Sequence, residues 1–183
     1  MKTLGDYILV IDSAIPDHLC ESLIELYDNC KNKIARDSST YKFSEVNLAE
    51  NAEFYDPVFQ LQSITQRVHD AYATETKANF LPTEHGYEQF RMKKYEANGS
   101  DHFDWHTDVG DYASAKRYIV MFYYLNNVDK GGETLFALGE EEYRVSPKAG
   151  RVVCFPPNFM FPHKGTMPVS GPKYIISTYG HYL

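Results

Sequence analysis

Two neighbouring His-x-Asp units lie in the stretch "DHFDWHTD", residues 101–108. One unit pairs His102 with Asp104, and the other pairs His106 with Asp108. An imidazole and a carboxylate two residues apart on a β-strand project from the same face and can chelate one metal ion. Regular alternation along a strand would place all four side chains on that face. The spacing alone therefore leaves open which pair binds a metal.

A third metal ligand has to come from a distant part of the chain, and His163 and His181 are the histidines downstream. His163 is followed ten residues later by Lys173, beyond a Gly-Pro turn that returns the chain alongside itself. A metal ligand and a cation then face one cavity, as binding of a dicarboxylate between them requires. Two histidines and one carboxylate form the facial triad that suits non-haem Fe(II). We predict that His163 is the third ligand and that His181 is a terminal surface residue.

The first part of the chain predicts one strand and two helices among the elements that must position these residues. "YILVID" predicts a first strand, and "PDHLCESLIELYDNCKN" carries apolar residues at helical spacing after Pro16. The polar segment "IARDSSTYKFSEVNLAENAEFYD" has no clear period, which predicts a long connection that either orders partly against the core or acts as a lid. A second amphipathic helix is predicted from Pro57 to about Asn79.

Short β-rich runs replace the helical pattern after "LPTEHG". They include "KRYIVMFYYLN", "GRVVCFP" and "PKYIISTYGHY", with turns such as "NGSD" and "NVDKGG" between them. Helices followed by many short strands predict an α+β fold, with a β-sandwich or jelly roll buttressed by helices. A length of 183 residues predicts a single domain, with helical support over about 1–80 and a β core over about 86–182.

Composition limits the classes of partner and compartment. The net charge of −7 gives no general attraction to nucleic acid or to an anionic membrane. Three cysteines without metal-binding spacing predict reduced, mostly buried thiols: Cys20, Cys30 and Cys154. No stretch has the pattern of a signal peptide or the roughly 20 apolar residues of a membrane span. We therefore expect a cytoplasmic monomer without a nucleic-acid or membrane partner.

Four motifs, in sequence order, resemble a known family: "YEANGSDHFDWHTD", "YYLNNVDKGGETLF", "AGRVVCFPP" and "HKGTMPVSGPKYIISTY". Each motif alone is weak, whereas the ordered set is highly specific. The set resembles the core of the 2-oxoglutarate- and Fe(II)-dependent dioxygenases, specifically the prolyl 4-hydroxylase group. The resemblance covers roughly residues 88–181 and implies a double-stranded β-helix core, the jelly-roll or cupin-like fold.

The resemblance also decides between the two His-x-Asp units. The family pattern has an aromatic residue three positions before the histidine, and Phe103 satisfies it for His106. Tyr95 and Gly99 precede that aromatic in the family order. Asp108 is followed by "VGDYASA", so this pair also lies at a strand end that opens into a loop. The interval from glycine to histidine is about one residue longer than in close relatives, which indicates a bulge in "SDHFDW".

Further roles are implied by the resemblance, position by position. Fe(II) is held by His106, Asp108 and His163, and Lys173 pairs with the distal carboxylate of 2-oxoglutarate. Four more positions match family residues that bind or line the cosubstrate: Tyr95, Tyr124, Thr134 and Ser177. The implied cofactors are Fe(II), 2-oxoglutarate and O2, with ascorbate as a candidate reductant.

The implied reaction is hydroxylation of a prolyl residue at C4, in a peptide or protein, with release of succinate and CO2. Arg117 and Tyr179 match the arginine and the aromatic that clasp the target proline, although that aromatic is usually tryptophan. The segment from Ala35 to Asn51 and the loop from Val109 to Lys116 are candidates for gripping the peptide. The alternatives are hydroxylation of a free amino acid or small metabolite and, less favoured, a non-catalytic β-sandwich binding module. The acidic charge argues against a nucleic-acid dealkylase.

Several of these residues also have a purely structural interpretation. Tyr95 and Tyr124 lie in β-rich runs, where tyrosine packs well whatever the function. Arg117 fits an exposed charge at a strand end equally well. His102 and Asp104 either orient a metal ligand or form a polar strand face near solvent, and we favour the second interpretation.

Overall fold

Two α-helices and twelve β-strands form the fold of residues 3–183, the part of the chain that this computed structural model describes. The helices are α1 (Asp17–Asn29) and α2 (Tyr55–Thr76). The strands are β1 (Leu9–Ile11), β2 (Ile34–Asp37), β3 (Tyr41–Asn47), β4 (His85–Tyr87), β5 (Arg91–Tyr95), β6 (His102–His106), β7 (Arg117–Tyr124), β8 (Thr134–Leu138), β9 (Glu141–Val145), β10 (Val152–Phe155), β11 (His163–Gly165) and β12 (Lys173–Tyr182).

All strand pairs are antiparallel and form one curled sheet in the order β1-β10-β7-β12-β5-β3-β6-β11-β8-β9, with β2 on β3 and β4 on β12. The two halves of the sheet face each other, because side chains from both meet in the interior. Ring centroids of Phe122 on β7 and His163 on β11 are 5.6 Å apart, and those of Phe136 on β8 and Phe155 on β10 are 4.6 Å apart. The predicted jelly-roll core is confirmed.

Alternate residues of β7 fill two separate cores, which explains its unbroken apolar sequence. One set packs into the core shared with the helices: Ile119, Met121 and Tyr123. The other set enters the interior between the two halves of the sheet: Val120, Phe122 and Tyr124. The helices therefore brace the outer face of the sheet, and the interior remains for side chains from the facing strands.

The two predicted helices are present and pack on that outer face. In α1 the apolar stripe at helical spacing is Leu19, Leu23 and Tyr27, all buried in the core with the sheet. Pro57 lies in the first turn of α2, where a missing N–H costs nothing. The helix ends at Lys77, whose φ of 57° is left-handed and turns the chain out of the helix.

The predicted long connection after α1 does order against the core, but it contains regular strands that the sequence did not indicate: β2 and β3 form a hairpin, and β3 pairs with β5 and β6. Buried polar residues of β3 hide its alternation. Glu45 accepts two hydrogen bonds from Arg36 at 2.7 and 2.8 Å. Asn47 donates to Glu50 and Gln89, both at 2.7 Å. Polar groups are tolerated in the interior when they are paired in this way, so hydropathy alone does not reveal this strand.

All three cysteines are buried free thiols, as predicted. Burial raises the pKa of the Cys20 thiol to about 11 and raises that of Cys154 further. Both thiols are therefore protonated and unreactive at neutral pH. Among residues 3–183, no helix combines the length and the apolar character that crossing a bilayer requires.

Candidate metal and cosubstrate site

A β-bulge on β6 determines which His-x-Asp unit reaches the interior. His106 pairs with His163 of β11, and Phe103 pairs with Gly165. These partners are three residues apart on β6 but only two apart on β11, so β6 contains one extra residue. Because of the extra residue, Phe103 and His106 project to the same side, and their rings stack with centroids 3.6 Å apart. The predicted bulge is therefore present, and the expectation from strand alternation that all four His-x-Asp side chains share one face is wrong.

His102 and Asp104 lie outside the interior. The imidazole of His102 donates to the Ser100 carbonyl at 2.7 Å, and the carboxylate of Asp104 accepts from the Trp105 amide at 2.8 Å. Both residues line a separate surface groove together with Lys164. Their side chains form a polar strand face, in agreement with the favoured interpretation.

His106, Asp108 and His163 bring one ligand atom each to a single point, all within 4.8 Å of one another. Nε2 of His163 is 3.4 Å from one carboxylate oxygen of Asp108, and Nε2 of His106 is 3.9 Å from the other. Nδ1 of His106 donates to the Asp104 backbone carbonyl at 2.7 Å, and Nδ1 of His163 donates to that of Phe161 at 3.1 Å. These hydrogen bonds fix the tautomer in which both Nε2 atoms carry a lone pair.

The protonation states suit metal binding. Removal from water lowers the pKa of His106 to about 4 and also lowers that of His163, so both rings are neutral at physiological pH. Among the described residues, Nε2 of His163 and Oδ2 of Asp108 are buried without a hydrogen-bond partner. Such atoms are rare in folded proteins. Two imidazoles and one carboxylate with unpaired ligand atoms fit the facial triad of non-haem Fe(II).

Lys173, at the start of β12, extends into the same cleft. Its Nζ lies between the rings of Tyr95 and Tyr124, at 5.5 and 5.3 Å from their centroids. Burial lowers the pKa of Lys173 to about 7, although the nearby Glu133 acts in the opposite direction. Among residues 3–183, no carboxylate forms an ion pair with this ammonium group. The cleft thus contains a cation that lacks a partner.

The cleft is narrow and opens to solvent at its mouth. Every predicted site residue lines it except Tyr124 and Arg117. Tyr124 lies behind the wall and donates its hydroxyl to Thr134 at 2.6 Å. The Ser177 hydroxyl is buried in the wall without a hydrogen-bond partner among the described residues. The structure therefore gathers the predicted residues around one space, with polar atoms available to a ligand.

Arg117 and Tyr179 lie against Asp108, the carboxylate among the candidate metal ligands. Tyr179 donates its hydroxyl to Oδ1 of Asp108 at 2.8 Å, and Arg117 donates to the backbone carbonyl of Asp108, also at 2.8 Å. The guanidinium stacks on the Tyr179 ring, with Cζ 3.9 Å from its centroid, and pairs with Glu88 at 2.7 and 2.8 Å. Burial raises the pKa of Tyr179 well above its ordinary value, so the hydroxyl remains a donor. The sequence did not reveal that these residues contact Asp108.

Lys93 is a cleft residue that sequence interpretation also missed. It lies two positions before Tyr95 on β5, so both side chains project to the same face. Both line the cleft with the triad. Strand alternation counted back from Tyr95 is the signal that could have found it.

A jelly roll with two histidines, one carboxylate and an unpaired lysine around one cleft defines a non-haem iron oxygenase of the 2-oxoglutarate-dependent class. The sequence comparison agrees, since residues 90–181, half of the chain, match the profile described as the 2OG-Fe(II) oxygenase superfamily. The chain belongs to this family and is a dioxygenase that uses Fe(II) and 2-oxoglutarate. No curated protein sequence matches it.

Solved structures with the same fold include three prolyl hydroxylases. A viral collagen prolyl hydroxylase of Paramecium bursaria Chlorella virus 1, in complex with 2-oxoglutarate, is 18% identical, with a TM-score of 0.73 over 98% of both chains. A prolyl hydroxylase of Trichoplax adhaerens, in complex with a peptide of the hypoxia inducible factor, is 15% identical, with a TM-score of 0.76 over 96% of this chain and 84% of that one. A prolyl-4-hydroxylase of Pseudomonas putida is 15% identical, with a TM-score of 0.72 over 97% and 93%. At these identities the likeness concerns the fold.

Proposed function

We propose that this protein hydroxylates a prolyl residue at C4 in a peptide or protein substrate. The observation that carries the proposal is the convergence of unpaired ligand atoms of Asp108 and His163 with the unpaired ammonium group of Lys173 in one cleft. That arrangement supports a metal-bound dicarboxylate. The choice of proline is supported by three relatives of the same fold that are prolyl hydroxylases, one of them in complex with a peptide.

In this proposal His106, Asp108 and His163 hold Fe(II), and Lys173 pairs with the far carboxylate of 2-oxoglutarate. When bound, the two would supply the oxidation: 2-oxoglutarate loses CO2 and takes up one oxygen atom of O2 to become succinate, and the other oxygen atom enters a C–H bond of the substrate as hydroxyl. Four residues with hydroxyl groups complete the cosubstrate site around Lys173: Tyr95, Tyr124, Thr134 and Ser177. Tyr124 acts through Thr134, to which it donates a hydrogen bond.

The apolar wall of the cleft has two tasks. Phe103 holds the His106 ring by stacking on it, with centroids 3.6 Å apart. Phe122 and Ile175 line the cleft beside the polar groups and limit the access of water. Exclusion of water strengthens the pairing of Lys173 with a carboxylate and directs the oxidation to the bound substrate.

The substrate would approach from the side of Asp108 on which Arg117 and Tyr179 lie, and we keep both as candidates for contact with the target proline. The loop from Val109 to Lys116 leaves this point, with the Val109 amide bonded to the Pro157 carbonyl at 3.1 Å. Two exposed aromatic side chains are available to a peptide, Tyr112 on this loop and Phe159 on the adjacent one. The β2–β3 hairpin is a further candidate for contact with the peptide.

We also propose that the protein is a cytoplasmic monomer that acts without nucleic acid. Three buried free thiols support a reducing compartment. The net charge of −7 gives no general attraction to nucleic acid. Cell fractionation would test the compartment, and light scattering on the purified protein would test the oligomeric state.

The activity can be tested by loading the protein with Fe(II) and 2-oxoglutarate without oxygen, admitting air, and analysing a library of proline-containing peptides by mass spectrometry. We expect one oxygen atom to be added to proline, with an equal amount of succinate, and neither product from the Asp108→Ala variant. Free proline and free lysine serve as comparison substrates. Turnover of a free amino acid with no gain from longer peptides would contradict the proposal.

A further inference from the structure

Lys93 places a second ammonium group in the cleft, and the proposed function gives it no role. Its Nζ lies between two rings, 5.4 Å from the centroid of Phe43 and 6.0 Å from that of Phe103. This is the same kind of support that Lys173 receives from two tyrosines. In the described part of the chain, Lys93 forms no ion pair. Two cations, the buried Lys173 and the half-buried Lys93, therefore face one cleft, and 2-oxoglutarate uses only one of them.

The strand register separates the two lysines along the cleft. Lys173 lies opposite Tyr95 on β5, whereas Lys93 lies opposite Ile175 on β12 and opposite Glu45 on β3. Lys93 is therefore displaced from Lys173 toward the β2–β3 hairpin. Burial lowers the pKa of Lys93, and the carboxylates of Asp108 and Glu45 oppose this lowering.

The strand face around Lys93 has a surplus of positive charge. Glu45 is buried, and its Oε1 is shared between the guanidinium of Arg36 at 2.7 Å and that of Arg91 at 3.5 Å. One carboxylate thus serves two arginines on neighbouring strands, and Lys93 lies beside them without a partner of its own. This local charge is opposite to the net charge of the chain, which is −7.

An ammonium group that is partly removed from water and lacks a partner is unfavourable, and a carboxylate that reaches it restores the favourable charged pair. With iron, one aspartate and two lysines, the cleft has a formal charge of +3, and bound 2-oxoglutarate reduces it to +1. The remaining charge matches one carboxylate. A neutral or basic side chain at this point would cover the ammonium group and leave it unpaired.

We propose that Lys93 is a specificity-determining residue that binds an acidic side chain of the substrate, on a residue close to the target proline. The inference rests on the proposed function and specifies its substrate class: prolyl peptides with a glutamate or aspartate near the hydroxylated position. Arg36 and Arg91 extend the same preference along the hairpin face.

The test uses peptides with one proline and either glutamate or glutamine at each nearby position. Binding is measured by fluorescence anisotropy on the protein loaded with Mn(II) and 2-oxoglutarate, and hydroxylation is measured with Fe(II). For at least one position we expect the glutamate peptide to bind on the order of tenfold more tightly, as one hydrogen-bonded charge pair provides. Higher salt should reduce this difference.

Four variants separate the proposed role from a general effect on the fold. Lys93→Met should remove the preference for glutamate, Lys93→Arg should retain most of it, and Lys93→Glu should transfer it to a lysine-containing peptide. Lys94→Met is the matched control, because Lys94 is the next residue of β5 and pairs with Asp28 and Glu96 away from the cleft. The control should keep the wild-type preference.

Two results would overturn the inference while the proposed function stands: equal hydroxylation of glutamate and glutamine peptides at every position, or a Lys93→Met variant that loses affinity for 2-oxoglutarate but keeps its peptide preference. The second result would assign Lys93 to the cosubstrate. If the protein binds Mn(II) and 2-oxoglutarate but forms no hydroxyproline in any peptide in the assay with Fe(II), the proposed function itself is refuted.

Discussion

Replacement of Tyr179 by phenylalanine should weaken iron binding, although Tyr179 is not itself a metal ligand. The hydroxyl donates to Oδ1 of Asp108 at 2.8 Å and leaves Oδ2 without a partner, directed toward His163 at 3.4 Å. Tyr179→Phe keeps the ring that stacks on Arg117 and removes only this hydrogen bond. The carboxylate then loses the contact that fixes its orientation.

The size of the effect follows from the type of bond. A hydrogen bond to a charged group contributes about 1.5–3 kcal/mol, which corresponds to a factor of roughly 10–150 in a binding constant. Loss of a partner that orients a metal ligand typically weakens metal affinity by about 10–100-fold. Arg117 still holds the backbone of Asp108, so we expect iron affinity to fall by about tenfold to a hundredfold, with the fold intact.

Anaerobic calorimetric titration with Fe(II) measures this change. Tyr174→Phe is the matched control, because Tyr174 lies on the same strand and donates its hydroxyl to Asp28 at 2.9 Å on the outer face. We expect wild-type iron affinity in that control, and thermal unfolding of both variants checks that they fold. If Tyr179→Phe binds iron like the wild type and only its KM for peptide rises, Tyr179 acts on the substrate alone, and the argument from Asp108 is refuted.

Three further predictions concern the site and the core. His106→Ala should abolish turnover, whereas His102→Ala should retain most of it; the reverse result in a succinate assay would overturn the choice of His-x-Asp unit. Burial lowers the pKa of Lys173 to about 7, so the ammonium form is lost as the pH rises past 7, and 2-oxoglutarate affinity should fall by up to about tenfold per pH unit above that. Lys173→Arg should remove this pH dependence, and equal dependence in both proteins would contradict it. Cys154 should resist thiol reagents until the protein unfolds, because burial raises its pKa; rapid labelling of the native protein would argue against that burial.

The sequence predicts those features that depend on local patterns. The helical spacing of Leu19, Leu23 and Tyr27 reveals α1. The interval from His163 to Lys173 predicts that both side chains face one cavity, and both line the cleft. The expected hairpin is absent, because β11 pairs with β6 and β8, whereas β12 pairs with β4, β5 and β7. Each of these signals involves residues close together in the chain. The order of the family motifs adds the jelly roll, which periodicity alone leaves as one of two sheet architectures.

The features that the sequence does not reveal depend on contacts between distant residues. The bulge between Phe103 and His106 changes which side chains share a face, and its exact place is fixed by pairing with β11. β3 is obscured because its buried Glu45 needs arginines from two other strands. The contact of Tyr179 with Asp108 joins residues 71 positions apart in the chain, and no local pattern encodes it.

The central claim is that His106, Asp108 and His163 bind one ferrous ion in the cleft that also contains Lys173. Crystals grown without oxygen in the presence of Fe(II) and 2-oxoglutarate test it most directly, through anomalous diffraction at the iron absorption edge. We predict one strong anomalous peak within bonding distance of both Nε2 atoms and of Oδ2 of Asp108. A peak at the outer pair, His102 and Asp104, with none in the cleft, would contradict the account.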